Sequence, residues 1–409
     1  MRALLKAGFG IKELPSPVGT ELSGYGYYLG RLCDAGLDPL HVRCVALAAG
    51  GTKSLVFSAD LIGLSEKLHQ QIRHSVSEKL GYSGREVMIL CTHTHTGPAT
   101  NDLEGCGIMN KAYNARIPAV FLAAAEQAVA DLALVEALEE CRRPIEPVGY
   151  NRDFQNGPHD AVVRGLRIRR ADRPPVAIIS YPCHPVVLCA SRQSSADFPG
   201  AVCRLGEENG MKTIFLNGCC GDINPLRRLT SGDDPRKLLD DCGRKILDGF
   251  MQGLHSSDDM ELKNAEFNTT LPLLAMGKDE IDAIAKLGDN AKVAEIWREA
   301  MLAKPRTATD DIMVRCVRIG AMVFCSLPFE TSTVVGDIVR QAYPGRNIAV
   351  LGCADHTRSY LPVITPERQH SYPAVTAPML YGYPIIASGA VECIGEQIAS
   401  GLRSLVGDP

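Results

Sequence analysis

The sequence predicts an α/β fold, a mixed β-sheet core with flanking helices in a single large domain. Three observations carry this reading. Short β-rich runs alternate with amphipathic segments along the whole chain. Leu64, Leu68, Ile72, Val76 and Leu80 recur every four residues and stop at Gly81, as expected of a helix with one buried face. The 409 residues, 45% hydrophobic and 22% charged, are enough for a sizeable core.

Taken in order, Ser54 to Ser58, Val87 to Cys91, Val162 to Ile168, Val176 to Tyr181, Thr213 to Leu216, Met313 to Ile319, Met322 to Leu327 and Ile348 to Leu351 read as strands. Helices are expected over 64–80 and near 117–135, 235–250, 278–303, 331–342 and 389–405. Alternation of this kind favours helices packed outside a sheet. The polar stretch 253–275 is the one candidate boundary, so 1–409 is read as one catalytic domain.

Charge and composition exclude several classes. Lys+Arg 43 against Asp+Glu 47, without long runs of one sign, provides no basic stripe for a phosphate backbone, so nucleic acid is set aside. The start MRALLK is too short for a signal-peptide core, and no window reaches the ~18 apolar residues of a membrane span. Fifteen cysteines, an odd number without a CxxC pair, read as reduced thiols in a cytoplasmic protein.

The chemistry concentrates at strand ends. In CTHTHTGP, residues 91–98, His93 and His95 follow an apolar run, and side chains two apart on a strand share a face. Either histidine alone reads equally well as a hydrogen-bonded strand end. His184, in Tyr181-Pro182-Cys183-His184-Pro185, repeats the arrangement, and loops beyond the carboxyl ends of strands are where α/β sites form. Glu330 ends a third apolar run, where an acid can also serve the following helix N-terminus. Two neutral imidazoles and one carboxylate leave Zn2+ with a net positive charge and an open position, the pattern of catalytic zinc. For a fourth ligand, Asp355, His356 and Tyr360 are all candidates.

The ordered blocks GYG (24–26), SADL (58–61), THTHTGP (92–98), GYNRD (149–153), PCHP (182–185), SADFPG (195–200), GCCGDINP (218–225), LPFET (327–331) and SYLP (359–362) resemble the catalytic domain of the neutral/alkaline non-lysosomal ceramidase family. The resemblance runs through nearly the whole chain. It implies zinc held by His93, His184, Glu330 and Tyr360. It also implies His95 beside the metal as a substrate-contacting or proton-transferring group, Arg152 near the substrate and Tyr372 as a second pocket tyrosine. The family's Gly-Asp-Val-Ser-Pro block carries a serine implicated in catalysis; here the block reads Gly221-Asp222-Ile223-Asn224-Pro225. Asn224 can orient or donate a hydrogen bond but cannot form an acyl-enzyme. The family's secreted members add a C-terminal β-sandwich domain, which this sequence is not expected to contain.

The expected activity is therefore zinc-dependent hydrolysis of an amide or lactam carbon–nitrogen bond, with a small-molecule amide as partner and no stable membrane association. Zinc can polarise a carbonyl and lower the pKa of bound water from 15.7 to about 7. His95 would relay a proton to the leaving amine, and Arg152 or Tyr372 would stabilise the oxyanion or anchor a substrate carboxylate. Competing readings are a ceramidase acting on N-acylsphingosine-type lipids, a metal-dependent lyase or isomerase, a non-catalytic metal-binding protein, and a thiol hydrolase using Cys219 or Cys220. Gly218-Cys219-Cys220-Gly221 is one residue short of the G-x-nucleophile-x-G elbow. Asp60 and Asp197 read as helix caps or as acceptors fixing imidazole tautomers, His69 and His74 as solvated, His356 and His370 as no more than candidates for extra ligands, and Trp297 as core or pocket roof. Self-association into a homo-oligomer is compatible with all of these.

Overall fold

A computed structural model describes residues 4–303 and 307–407; residues 1–3, 304–306 and 408–409 lie outside the description. Eight strands, β1 (Leu5–Glu13), β2 (His41–Ala49), β3 (Thr52–Ala59), β4 (Val87–Cys91), β5 (Ala133–Pro144), β6 (Val162–Arg170), β7 (Arg173–Tyr181) and β8 (Lys212–Asn217), form one sheet in the order β8-β7-β6-β5-β1-β2-β3-β4. β9 (Leu254–Ser257) pairs alongside β5. A second sheet runs β10 (Leu262–Pro272), β11 (Thr309–Ile319), β12 (Met322–Ser326), β13 (Asn347–Leu351).

Both sheets are antiparallel except at three places: β4 beside β3, β8 beside β7, and β13 beside β12. A parallel pair needs a crossover, usually a helix. Each has one: α1 (Glu66–Leu80), α3 (Asp197–Glu208) and α7 (Thr333–Ala342), respectively. The remaining longer helices are α2 (Ile117–Ala130), α4 (Pro235–Gly253), α5 (Lys278–Ala285), α6 (Ala291–Ala303) and α8 (Ala390–Gly401). In α1, Ser65 Oγ accepts from the Leu68 amide, Gly81 closes the end at φ 68°, and Leu68, Ile72 and Val76 are the buried residues.

Alternation within the strands separates the cores. Val45, Leu47 and Val56 of the large sheet meet Val317, Ile319 and Phe324 of the second in one cluster between the sheets. Their neighbours Cys44, Leu55 and Phe57 pack outward under α1 and α2. Ile179 and Phe215 do so under α3 and α4. Val314 and Val323 of the second sheet lie against Val335 and Val339 of α7 and Ile394 and Ile398 of α8. The layers are helices, sheet, sheet, helices.

α2 lies unusually close to β1. A β-carbon at Gly8 or Gly10 would sit 2.0 Å from the carbonyl oxygen of Ala128 or Ala124. Beyond Ala7, β1 has no strand partner on that side; Asp131 and Gln127 side chains accept from the Phe9 and Ile11 amides instead. Gly8→Ala and Gly10→Ala should each destabilise the fold by about 1–3 kcal/mol, read as a lower urea midpoint; an unchanged midpoint would show that the contact can relax.

The α/β class with outer helices is as expected, and, apart from the helix over 278–303, the strand and helix centres fall inside the observed elements. The division into two sheets and strands β1, β2, β5, β9 and β10 are additions, whereas β11, β12 and β13 of the second sheet are as expected. β5, ALVEALEECRRP, has helical composition but extends because β6 and β9 pair with it, tertiary context overriding propensity. The stretch 253–275 is no boundary, since β9 and β10 occupy it. The helix expected over 278–303 divides, because Asn290 Oδ1 accepts from the Lys292 and Val293 amides and starts α6 afresh. α3, hidden by Pro199-Gly200, was not anticipated.

Candidate metal centre

Four strands of the three βαβ units, β4, β7, β12 and β13, send their carboxyl ends into one site. His93 and His95 follow β4, His184 follows β7, Glu330 follows β12 and Tyr360 follows β13. The sheet curls so that β3 and β8 touch: Ser58 Oγ donates to the Phe215 carbonyl at 2.6 Å. Asn217, the last residue of β8, then ties the two histidine loops together. Its Nδ2 donates to the carbonyls of Thr92 (3.0 Å) and Cys183 (3.2 Å), each one residue before a histidine, and its Oδ1 accepts from the Cys183 amide at 3.4 Å.

His93 does not continue the strand alternation, because β4 ends at Cys91. Its backbone turns left-handed, φ 70°, a conformation costing about 1–3 kcal/mol for a residue with a side chain. The His93 and His95 rings still end up together, centroids 4.8 Å apart and nearly perpendicular; His93 and His184 centroids are 5.0 Å apart. Ring nitrogens of His93, His95 and His184 all lie within 4.8 Å of one another. Gly24 permits this packing: at φ 107°, its missing β-carbon would stand 2.6 Å from the His95 ring.

Backbone carbonyls orient two of the imidazoles. His93 Nδ1 is 2.7 Å from the Ile62 carbonyl and His184 Nδ1 is 2.5 Å from that of Cys220. Nδ1 must be protonated in both, so in the neutral ring it is Nε2 that carries the lone pair, directed inward. Both Nε2 atoms face one carboxylate oxygen, Glu330 Oε2, at 2.9 Å from His184 and 3.2 Å from His93. Glu330 Oε1 accepts from Tyr381 Oη at 2.5 Å. Glu330 and Tyr360 are register partners in a two-residue parallel pairing, and Tyr360 Oη lies 3.4 Å from His184 Nε2.

Arg152 braces the opposite side. It donates to Tyr360 Oη (3.0 Å), the Gly221 carbonyl (2.7 Å) and Asn224 Oδ1 (3.4 Å). Asp222 accepts from the Thr333 amide and hydroxyl, both at 2.9 Å, from Ser332 Oγ at 3.2 Å and from Asn151 Nδ2 at 3.1 Å. It thereby supplies the negative charge at the start of α7, a role left to Glu330 in the simpler sequence reading. Tyr372 stands edge-on to Tyr360, ring centroids 5.8 Å apart, and is 45% exposed at the mouth.

Electrostatics within this buried group are uneven. Burial disfavours charge on His93, yet Glu330 outweighs it and holds the ring up at about 9. Burial, reinforced by Arg152, pulls His184 down to about 4. Burial, with His93 and His184 adding repulsion, pushes His95 well below its ordinary range, so it is a neutral imidazole. Burial raises Tyr360 well above the usual phenol value, and Glu330 adds to the effect. His93 Nε2 and both His95 ring nitrogens are buried without a hydrogen-bond partner. With His184 neutral and its Nδ1 donating to a carbonyl, its Nε2 lone pair faces a carboxylate oxygen with no proton between them. A divalent cation removes that conflict, so the donor set fits one.

All eight residues singled out from sequence, His93, His95, Arg152, His184, Asn224, Glu330, Tyr360 and Tyr372, are brought into this one region. Asp355 is not; it pairs with Arg73 (2.5 Å), His69 (3.2 Å) and Arg315. His69 is therefore an ion-cluster member rather than solvated, while His74 is 81% exposed along its side chain. Neither His356 nor the exposed His370 joins the histidine group. Asp60 pairs with Arg43 and with the amide and ring of His41, and Asp197 accepts from the Leu188 and Phe198 amides, so neither touches an imidazole of this site. Trp297 is core, its Nε1 donating to the Tyr383 carbonyl. The Cys219 thiol is buried against the Val350 carbonyl and pushed up by burial.

Four contributors were missed: Asn217, Tyr381, Tyr25 and Arg31. Tyr25 lies edge-on to His95 at 5.2 Å, and Arg31 donates to the Ser23 and His95 carbonyls. An asparagine at a strand end reads as a turn former, and the only local sign of Tyr25 is its setting in Gly24-Tyr25-Gly26.

Two solved structures share this architecture. The neutral ceramidase of Pseudomonas aeruginosa matches with a TM-score of 0.76 over 99% of this chain and 75% of its own, at 15% sequence identity. A ceramidase complexed with C2 gives 0.74 over 100% and 76%, at 16% identity. The chain has a neutral ceramidase-like fold. No protein-family model matches the chain, and no curated protein matches it in sequence.

Proposed function

We propose that the chain is a zinc-dependent amidohydrolase that cleaves the carbon–nitrogen bond of an N-acyl amide, with the metal held by His93, His184, Glu330 and Tyr360. The observation that carries this reading is the pair of imidazoles whose Nδ1 atoms donate to backbone carbonyls while both Nε2 atoms face Glu330 Oε2. Zinc bound there would polarise the substrate carbonyl and lower the pKa of a bound water towards about 7. The ceramidase-like fold supports the same class of reaction.

The surrounding residues take complementary roles. Neutral His95, with both ring nitrogens free, is the proton carrier to the departing amine. Arg152 is held by Tyr360, Gly221 and Asn224 with its charge beside the metal donors, suited to an oxyanion. Asn224 orients that guanidinium and offers no nucleophile. Tyr372, exposed at the mouth, contacts the acyl or amine portion.

The ceramidase neighbours favour a lipid amide over a strictly small, soluble one, and no helix among the described residues is long and apolar enough to cross a membrane. A panel of N-acylsphingosines, N-acyl amino acids and lactams, each assayed with and without a chelator, tests the reading. Hydrolysis is expected to vanish on chelation, return with zinc, and incorporate oxygen-18 from labelled water into the acid. Cys219→Ala/Cys220→Ala should retain activity within about tenfold, since the Cys219 thiol is buried and hard to ionise. Chelator-insensitive turnover that the double substitution abolishes would replace this reading with thiol chemistry.

A further inference from the structure

Donors at the candidate metal centre are held in two different ways. Backbone carbonyls of Ile62 and Cys220 fix the imidazoles of His93 and His184. A side chain fixes the carboxylate of Glu330: Tyr381 Oη donates to Oε1 at 2.5 Å, while both histidine Nε2 atoms face Oε2. A contact of that length is a charge-assisted O–H···O⁻ bond, roughly twice as strong as a neutral one. The two oxygens of this buried carboxylate therefore have separate partners.

Tyr381 ends a short helix, Ala377–Tyr381, that continues a π-helical turn over Tyr372–Thr376, and Gly382 closes it at φ 60°. Its ring packs against two apolar clusters, one containing Phe329 and Leu361 and the other Met379 and Leu380, which sets the direction of the hydroxyl. The same segment carries Tyr372, whose ring stands edge-on to Tyr360. One stretch of chain, 372–381, thus braces both oxygen donors.

We propose that Tyr381 is a positioning residue that keeps Glu330 a one-oxygen donor and so reserves one face of the bound cation for water or substrate. This rests on the zinc reading above and extends it to how the open position is kept. A carboxylate can hold a cation through one oxygen or both, and catalytic zinc needs a position that no protein atom takes. Without the hydroxyl, Oε1 becomes a buried acceptor lacking its donor, which is costly. A cation beside Oε2 can satisfy it. Removing the hydroxyl therefore tightens metal binding and closes the open face, whereas loss of an ordinary supporting contact weakens metal binding and activity together.

Tyr381→Phe keeps the packed ring and removes only the oxygen. Cobalt(II) in place of zinc gives a visible spectrum that reports the ligands on the ion, and azide probes the open position. Parent and variant are expected to take up stoichiometric cobalt, the variant as tightly as the parent or up to about tenfold tighter, with unchanged far-UV circular dichroism. Azide should shift the parent spectrum saturably but bind the variant at least about tenfold more weakly, and turnover should fall by about 10–100-fold. A crystal structure of the cobalt-loaded parent, which does not depend on the variant folding, should show one Glu330 oxygen on the ion and the other on Tyr381. Undiminished azide binding in the variant, weakened metal binding, or both Glu330 oxygens on the ion in the parent overturns the inference and leaves the zinc reading standing. A parent that takes up neither cobalt nor zinc overturns both.

Discussion

Under the proposed zinc chemistry, Glu330→Gln is expected to abolish most zinc binding and to lower turnover by roughly 10^4-fold, a loss in the range found when one member of a cooperating catalytic set is removed, while the fold survives. Among the described residues the glutamate is the one carboxylate facing the Nε2 atoms of His93 and His184, and Tyr381 holds its other oxygen. Glutamine matches its shape but not its charge. With two neutral imidazoles and an amide, a divalent cation keeps its full +2 charge in a buried site instead of about +1, and desolvating that charge is expensive. The amide also presents only one oxygen, so either Tyr381 or the metal face loses its acceptor. Elemental analysis after dialysis, turnover on the best amide of the panel and far-UV circular dichroism check this together. Stoichiometric zinc with near-normal turnover would remove Glu330 from the ligand set.

Asn217→Asp should be the second most damaging substitution, although this residue is assigned no contact with metal or substrate. Its amide nitrogen satisfies the carbonyls of Thr92 and Cys183, both on buried backbone. An aspartate offers oxygen to both carbonyls, leaving two buried acceptors unpaired at about 1–3 kcal/mol each. A stability loss of roughly 3–5 kcal/mol follows from that sum together with the repulsion. Turnover should fall by about 10^2-fold even well below the melting temperature, because a shift of one ångström between cooperating groups has that effect. Asn217→Ala, lacking the repulsion, should lose less stability but similar zinc affinity. Zinc affinity separates positioning from simple destabilisation. If both variants bind zinc as tightly as the parent at low temperature, Asn217 does not set the distance between the histidine loops.

Legibility differed between residue types for reasons of range. His93, His184 and Glu330 stand at the ends of apolar runs, and a strand end is a local feature that sequence displays directly. Tyr360 was reachable only by resemblance, since Asp355 and His356 are equally plausible donors in the same segment. Asp355 is excluded by Arg73 and Arg315, which come from α1 and β11, far away in sequence. Asn217 and Tyr381 act through backbone and carboxylate partners more than thirty residues distant, and nothing in their immediate neighbours marks them. β1, β2 and β5 escaped detection because glycine, alanine and glutamate weaken the alternation on which strand recognition depends.

From the order of residues one can read the α/β class, the helix of 64–80 and the kinds of donor atoms that end each apolar run, because periodicity and donor chemistry are properties of short segments. The meeting of those donors depended on folding. It took three parallel crossovers to bring the ends of β4, β7 and β12 to a common region, a left-handed turn at His93 to set two rings side by side, and the Asn217 bridge to hold one loop against another. These are long-range contacts stabilised by burial between two sheets, and no window of neighbouring residues encodes them.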